Sequence, residues 1–449
     1  MAATLPDYPI LGRAIDGLSA NEIGSLQSRR LVAMVNYVHA LAPFWRRKFD
    51  ELGLEPGDIR DIGDLGKLPF CTKKELQEDQ AENPPMGSYV CTPPAEWHRF
   101  LTTTGTTGVP LRRVYSKRDY AFAMQRFEAP DSVKPGEVYM LLGPVDGLIG
   151  PTTTFDGVSQ NGGLIVPAGR LDTRAKIKLI EDMRPAVISG TASYLLRILE
   201  VADEIGVDMS RQGIRRLGSV GEPGVAVAET RNRLRAGFGV DAITDGYGMT
   251  ELFPLGGGCK GSGDIHIGCD VAATEIIDPN SGEPLAAGEL GEAVFTNLVG
   301  DTQPLLRYRS GDLCRLATEP ACPACGYAGP RLAGSVQGRA DETIFYRGVK
   351  VFPTAIEGAV RALPELNHEY QILVDGDGVL PNLTVRAETL ESAKTLGAEA
   401  AEALKKRLAD GLKAAIRVNA AIELLAPGTL PRDDAGGKVR RVVDKRNRQ

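Results

Sequence analysis

The sequence predicts an α/β fold, with a large N-terminal domain of mostly parallel sheets flanked by helices and a small α+β C-terminal domain. Three observations predict it. Between residues 138 and 220 short apolar runs alternate with stretches of helical spacing, the pattern of βαβ units. Gly-containing turns follow those runs, at the carboxyl ends of strands, where parallel sheets hold ligands. Around Gly338 the texture changes, and the Ala-, Glu-, Lys- and Leu-rich chain beyond it is long enough for a second domain. The boundary falls at Asp341, giving domains 1–340 and 341–449.

Composition narrows the functional class. At 449 residues there is room for two domains and a large core, and 43% apolar with 24% charged residues is ordinary for a globular chain. A net charge of -6 gives no support to nucleic-acid binding, which calls for a basic surface. The only dense basic run, Lys438 to Arg448, lies at the extreme C-terminus. No apolar run reaches membrane-spanning length, and Met1 to Ile10 holds Asp7 and two prolines where an export signal would be basic and then apolar. The expected compartment is the cytoplasm, with no membrane partner. Seven cysteines in such a chain read as thiols or metal ligands rather than a disulfide framework.

In chain order, residues 20 to 52 carry apolar positions at helical spacing (Leu26, Leu31, Met34, Val35, Val38, Leu41) and are expected to be helical. Thr72 and Glu75 form a capping box at the start of another helix, where no chemistry is visible. Strands are expected at Val138 to Leu142, Leu164 to Pro167, Ala186 to Ser189 and Ile214 to Val220, with helices at Thr173 to Met183 and Tyr194 to Ile205. In the C-terminal domain one long amphipathic helix is expected from Leu390 to Ile416.

Four segments carry candidate chemistry. Thr102 to Pro110 offers hydroxyls and, through Gly105 and Gly108, closely approachable backbone N–H groups to an anion, although alone it reads as a polar turn. Asp245-Gly246-Tyr247-Gly248-Met249-Thr250-Glu251 sets an aromatic ring between glycines before a hydroxyl and a carboxylate, suited to stacking a flat ring beside a cation. Its bland reading is a packed turn. Asp312 follows a glycine and could accept from vicinal hydroxyls, or serve only as a turn or cap. Lys438, between glycines and an apolar residue in Gly428 to Arg441, would alone be solvated surface.

Taken in order, the hydroxyl loop, "YGMTE", "YRSGDL", "GRADETIFYRGVKVFP" and "LPRDDAGGKVRR" resemble the core motifs of the adenylate-forming superfamily across nearly the whole chain. "RGVKVFP" and "SGTASYLLRI" point to its phenylacetate-CoA ligase branch. The resemblance implies a two-step reaction. ATP and a carboxylic acid give an acyl-adenylate and pyrophosphate, then the C-terminal domain rotates and a thiol, usually that of CoA, displaces AMP. By the family pattern Lys438 bridges the acid and the nucleotide; Thr103, Thr104, Gly105, Thr106, Thr107 and Gly108 hold the β and γ phosphates; Thr250 sits at the α-phosphate and Glu251 holds Mg²⁺. Tyr247 stacks on adenine beside Gly221, Glu222 and Pro223, with Asp245, Gly248 and Met249 completing the nucleotide set. Asp312 binds the ribose hydroxyls with Arg339, Asp341 is the hinge, and Arg347 and Gly348 line the CoA tunnel. One residue departs from the pattern: Val109 stands where most relatives have lysine, which weakens the charge of the phosphate loop.

The branch places the acyl pocket around Val145, Leu148, Ile149, Phe155, Gly190, Phe253 and Pro254, whose apolar character suits an aryl acid or equally describes core packing. Separately, Cys322-Pro323-Ala324-Cys325-Gly326 is a C-x-x-C knuckle that, with Cys259 and His266, makes a Cys₃His set for structural Zn²⁺, Cys269 and Cys314 being reserve ligands. The competing reading is four unrelated residues. Three functions stay in view: an aryl-CoA ligase, a stand-alone adenylating enzyme that passes the acyl group to a carrier-protein thiol or an amine, and a nucleotide-binding protein without catalysis. No feature separates a monomer from a homodimer.

Overall fold

Proline and caps set the first helical boundaries. The expected helical stretch from residue 20 is split at Ala42–Pro43 into Ala20–Leu41 and Pro43–Leu52, because proline cannot continue the first helix but suits the first turn of the second. Ser19 and Glu22 form a capping box on the first, and Thr72 with Glu75 caps Lys73–Glu82 as expected. The structure is a computed structural model that describes residues 4–103, 109–124, 133–222, 224–259, 261–346, 349–376, 382–390, 397–431 and 441–446. Among the sites expected from sequence, Thr104, Gly105, Thr106, Thr107, Gly108, Pro223, Arg347, Gly348 and Lys438 lie outside the described residues.

The chain divides into two compact units. The first comprises Met1–Leu141, Val145–Pro167 and Thr244–Ser335. In it Val138–Leu141 pairs in parallel with Leu164–Pro167, and the helix Ile149–Gln160 makes the crossover. Two antiparallel sets accompany them. Ala272–Ile277, Gly291–Asn297 and Tyr308–Cys314 form one, whose middle strand is buried along its whole length. Ile265–Ile267 pairs on one side with Pro254–Gly258 and on the other with Arg331–Leu332. Trp97–Thr102 and Arg112–Ser116 form the hairpin that carries the hydroxyl loop.

The second unit comprises Leu142–Pro144, Ala168–Ile243 and Val336–Gln449. Val187–Gly190 pairs in parallel with Arg216–Val220. The helix Thr173–Met183 is capped by Asp172 and the helix Ala192–Glu204 by Thr191. From residue 366 on, the strands Leu366–Asp375, Asn382–Thr389, Ala421–Leu425 and Val442–Asp444 form a four-stranded sheet. Over it lie the helices Pro353–Arg361 and Ala398–Ile416. Leu404, Leu408, Leu412 and Ile416 recur one turn apart and are buried with Ile356, Val360, Ile372 and Val385. Each such burial stabilises by about 2 kcal/mol. The last helix begins at Ala398, not at Leu390, which follows the strand Asn382–Thr389 and donates its N–H to the Glu365 carbonyl. This mixed α/β architecture with parallel pairs is the fold class expected from sequence.

Candidate active site

The hydroxyl loop is closed at its base by paired backbone and side-chain bonds. The Thr103 N–H donates to the Leu111 carbonyl at 3.1 Å, and the Leu111 N–H donates to Thr103 Oγ1 at 3.0 Å, so Thr103 is buried in the stem. The Thr102 N–H donates to the Gly147 carbonyl. Val109 is 70% exposed, and its carbonyl accepts from the Gln77 side chain. One turn further along the same helix face, Gln80 exchanges hydrogen bonds with the backbone of Arg112. Lys73–Glu82 therefore runs beside the stem of the loop.

In the other direction on that face, four residues before Gln77, stands Lys73. Its Nζ is 3.3 Å from Glu251 Oε1, in a pair whose side chains are 27% and 9% exposed. The Tyr308 hydroxyl also bonds to the Glu251 carboxylate, and burial followed by the charge of Glu251 holds that phenol well above its usual range. Thr250 precedes Glu251, with its Oγ1 3.4 Å from the Ile149 N–H and its carbonyl 2.6 Å from the Tyr115 hydroxyl, which also reaches the Leu252 carbonyl. Glu251 thus sits on a buried turn with a cation of the protein beside it. Sequence reading missed Lys73: the residues around it announce only a helix cap.

Tyr247 donates its hydroxyl to Asp312 Oδ2 at 2.8 Å, and its ring lies 5.8 Å from that of Phe295. Burial, then the charge of Asp312, raises the Tyr247 pKa far above that of a free phenol, so it is a donor at every working pH. The aromatic and the carboxylate expected to hold base and ribose are thereby locked together. Asp245 accepts from the Ser335 hydroxyl at 2.6 Å, while Gly248 and Met249 complete the turn into Thr250. Of the first unit's expected pocket residues, Val145 is exposed and Leu148, Phe155 and Pro254 are half-buried. Ile149 and Phe253 are buried, and Phe253 packs edge-on against Tyr115 with ring centroids 5.7 Å apart.

In the second unit Gly190 ends one of two adjacent parallel strands, and Gly221 and Glu222 follow the other. Glu222 accepts from the Ser193 N–H at 2.5 Å and from the Ser193 hydroxyl at 2.6 Å, which fixes it at the start of the Ala192–Glu204 helix, where a carboxylate is favoured. Gly190 is buried, and a Cβ on it would lie 3.3 Å from Leu142. Arg339 and Asp341 form an exposed ion pair, Nε to Oδ1 at 2.8 Å.

The cysteine set converges in the first unit. One ligand atom from each of Cys259, His266, Cys322 and Cys325 lies within 4.8 Å of all the others. The Cys259–Cys322 sulfur separation and the Cys325 Sγ to His266 Nδ1 separation are both 3.9 Å. Thiolates about 2.3 Å from a tetrahedral zinc are about 3.8 Å apart. The knuckle is shaped by Gly326 at φ 81°, whose N–H donates to the Cys322 carbonyl. Gly261 permits the approach of the facing segment, since a Cβ there would lie 2.4 Å from that of Ala324. Burial opposes ionisation of Cys322, but hydrogen bonds from Ser262, the Ala324 and Cys325 N–H groups and His266 pull its thiol down to about 5. His266 stacks on Tyr327 at 4.8 Å. The buried Cys269 and Cys314 are not in the cluster.

In the first unit, then, an aromatic–carboxylate pair, Tyr247 with Asp312, and a buried acidic turn beside Lys73 stand in the segments whose motifs resemble those of nucleotide-handling ligases. Residues 57–297 match the AMP-binding enzyme family, and residues 348–446 match the AMP-binding enzyme C-terminal domain. The chain is 34% identical to the phenylacetate-coenzyme A ligase of Thermus thermophilus, with 96% of this chain and 98% of the relative covered. It is 31% identical to that of Escherichia coli K12, with 96% and 97% covered. The crystal structure of 2-hydroxyisobutyryl-CoA ligase in the postadenylation state matches with a TM-score of 0.89 at 27% identity, covering 99% of this chain and 94% of that one. The chain belongs to the adenylate-forming AMP-binding enzymes, and within them it is phenylacetate-CoA ligase-like. No helix among the described residues is long and apolar enough to cross a membrane.

Proposed function

We propose that this protein is an AMP-forming ligase that activates an aryl carboxylic acid, phenylacetate- or benzoate-like, as its acyl-adenylate and transfers it to CoA. ATP, CoA and a small carboxylic acid are its reactants. The observation that carries the reading is the grouping in one compact unit of Tyr247 bonded to Asp312 with Thr250 and Glu251 held beside Lys73. The aryl assignment is supported by four phenylacetate-coenzyme A ligases among the relatives, each matched over at least 95% of this chain.

The first step brings a carboxylate to a triphosphate, so like charges must be neutralised at the point of attack. Glu251 would hold Mg²⁺, which would supply part of that charge. Lys73 beside Glu251 supplies charge that Val109 does not, and Thr103 to Gly108 offer hydroxyl and N–H donors. Lys438 bridges acid and nucleotide. Tyr247 presents its ring to adenine alongside Gly221, Glu222 and Pro223, while Asp312 takes the ribose hydroxyls with Arg339. In the second step residues 341–449 turn at Asp341, and Arg347 and Gly348 replace the Lys438 loop and line the path of the thiol. Such closure keeps water from the adenylate. A structural zinc at Cys259, His266, Cys322 and Cys325 would fasten the chain after Glu251 to the chain before the hinge without taking part in the chemistry. The surroundings in which these thiols stay reduced are those of the cytoplasm.

The test is a panel of aryl, alkyl and branched hydroxy acids assayed for ATP-dependent pyrophosphate release, with CoA products read by mass. Aryl acids give acyl-CoA and AMP. An adenylate that forms but passes its acyl group only to a carrier-protein thiol or an amine would make that nucleophile the acceptor in place of CoA, and preference for a branched hydroxy acid would overturn the aryl assignment.

A further inference from the structure

Within the second unit, the C-terminal segment packs on the Ala192–Glu204 and Ala228–Phe238 helices through polar contacts. Arg233, on the latter helix, donates to the carbonyls of Arg361 and Leu363, both at 2.8 Å, and to that of Leu366 at 3.2 Å. These carbonyls lie at and just past the end of Pro353–Arg361, where a helix leaves acceptors without intrahelical donors. Glu200, on Ala192–Glu204, lies 3.9 Å from His368 Nδ1, and His368 Nε2 lies 2.9 Å from Glu369. Glu369 is paired in turn with Arg441, whose guanidinium also covers the Tyr370 ring at 4.9 Å. Gly358 meets Val227 only loosely: a Cβ on it would be 4.0 Å from the valine methyl.

We propose that Arg233 is a positioning residue for adenylate formation, a latch that holds the C-terminal segment in place during the first half-reaction and lets go before CoA transfer. The inference rests on the reading that residues 341–449 turn between the two steps. Two features point to a latch rather than a permanent joint. The acceptors of these three hydrogen bonds are all backbone carbonyls of the other segment, and when the contact opens, both the guanidinium and the carbonyls regain hydrogen bonds from water, so release leaves no buried orphan. An interface meant never to part is better served by apolar packing, and Gly358 opposite Val227 provides little. The segment held also brings Arg441 within electrostatic reach of Glu222. Glu222, of the nucleotide motif, acts on the charge of Arg441, and Arg441 stands three residues after Lys438 in the chain.

Arg233→Met and Arg233→Lys separate the half-reactions. Phenylacetate-dependent pyrophosphate release without CoA should fall roughly tenfold in Arg233→Met and less in Arg233→Lys, while transfer from preformed phenylacetyl-adenylate to CoA stays the same or quickens. Equal loss in both half-reactions, or no change in either, overturns the proposal. A Val227→Cys/Gly358→Cys pair reads the same latch with Arg233 intact. Oxidised, it should keep pyrophosphate release, lose CoA transfer and regain it with reductant; full CoA transfer in the cross-linked protein overturns the proposal. Wild-type enzyme that releases pyrophosphate and forms acyl-CoA upholds the proposed function whichever way the Arg233 variants behave.

Discussion

Replacing Lys73 by methionine keeps the aliphatic stem and removes the charge that the helix Lys73–Glu82 sets against Glu251. Its Nζ stands 3.3 Å from Glu251 Oε1, and the two side chains are 27% and 9% exposed. At an effective dielectric of about 20 such a pair interacts by about 5 kcal/mol before desolvation is subtracted. The net worth of a charged hydrogen bond, about 1.5 to 3 kcal/mol, is the better guide for a partly exposed lysine. If that interaction is transferred to the phosphates as negative charge shifts in the transition state, its loss slows adenylation by roughly ten- to a hundredfold. The assay is acid-dependent pyrophosphate release, followed beside CoA transfer from preformed adenylate, which should be nearly unaffected. Val109→Lys in the Lys73→Met background returns a cation to the loop and should recover part of the lost rate. A Lys73→Met enzyme within about threefold of wild type, or a loss that Val109→Lys leaves untouched, refutes the argument that Lys73 makes up for the valine.

Lys438→Ala should lower adenylate formation by about a hundredfold or more, on the scale of one transition-state donor, with transfer from preformed adenylate preserved; normal pyrophosphate exchange would remove Lys438 from the mechanism. Tyr247→Phe deletes the 2.8 Å bond to Asp312 and should raise KM for ATP about tenfold with little change in kcat, measured by pyrophosphate release. Purified protein should carry close to one zinc, and Cys322→Ala should lose it together with several degrees of thermal stability; less than about half an equivalent in gently purified wild type counts against the site. Asp119, buried and facing Asp301, is pushed up to about 7 by burial and then by that neighbour, although it accepts the Asp301 and Thr302 N–H groups at 2.6 and 3.2 Å. The folded state therefore binds this proton more tightly than the unfolded one, and the stabilisation is complete below the ordinary carboxylate pKa and lost as pH rises through about 7. Denaturant unfolding at pH 5 and pH 8 should show wild type losing on the order of 2 to 4 kcal/mol and Asp119→Asn losing much less; identical pH slopes would refute the raised Asp119 carboxyl.

What the sequence could disclose was what neighbours along the chain decide. The capping box at Thr72, the one-turn spacing of Leu404, Leu408, Leu412 and Ile416, and the C-x-x-C knuckle are local, and each is found where its pattern put it. The antiparallel strand Pro254–Gly258 went unread because its three glycines erase the alternation that marks a strand. Leu390 entered the last helix in the sequence reading because nothing local separates the end of one strand from an Ala-rich helix to come. The site was half legible for a related reason. Residue types chosen for a ligand, such as Tyr247, Asp312 and Glu251, stand in motifs, whereas residues that serve those motifs from elsewhere carry no motif of their own. Lys73 looks like any lysine in the first turn of a polar helix, and only the packing of that helix against the loop stem gives it Glu251. Arg233 looks like any arginine on a solvated face, and only the end of another helix gives it three carbonyls. In both cases a long, charged side chain acts across a tertiary contact, so its role is fixed by what the fold brings within reach of its tip. Substitution at the contact, with Val109→Lys for one and the Val227/Gly358 cross-link for the other, is therefore a sharper probe of function than substitution within the motifs.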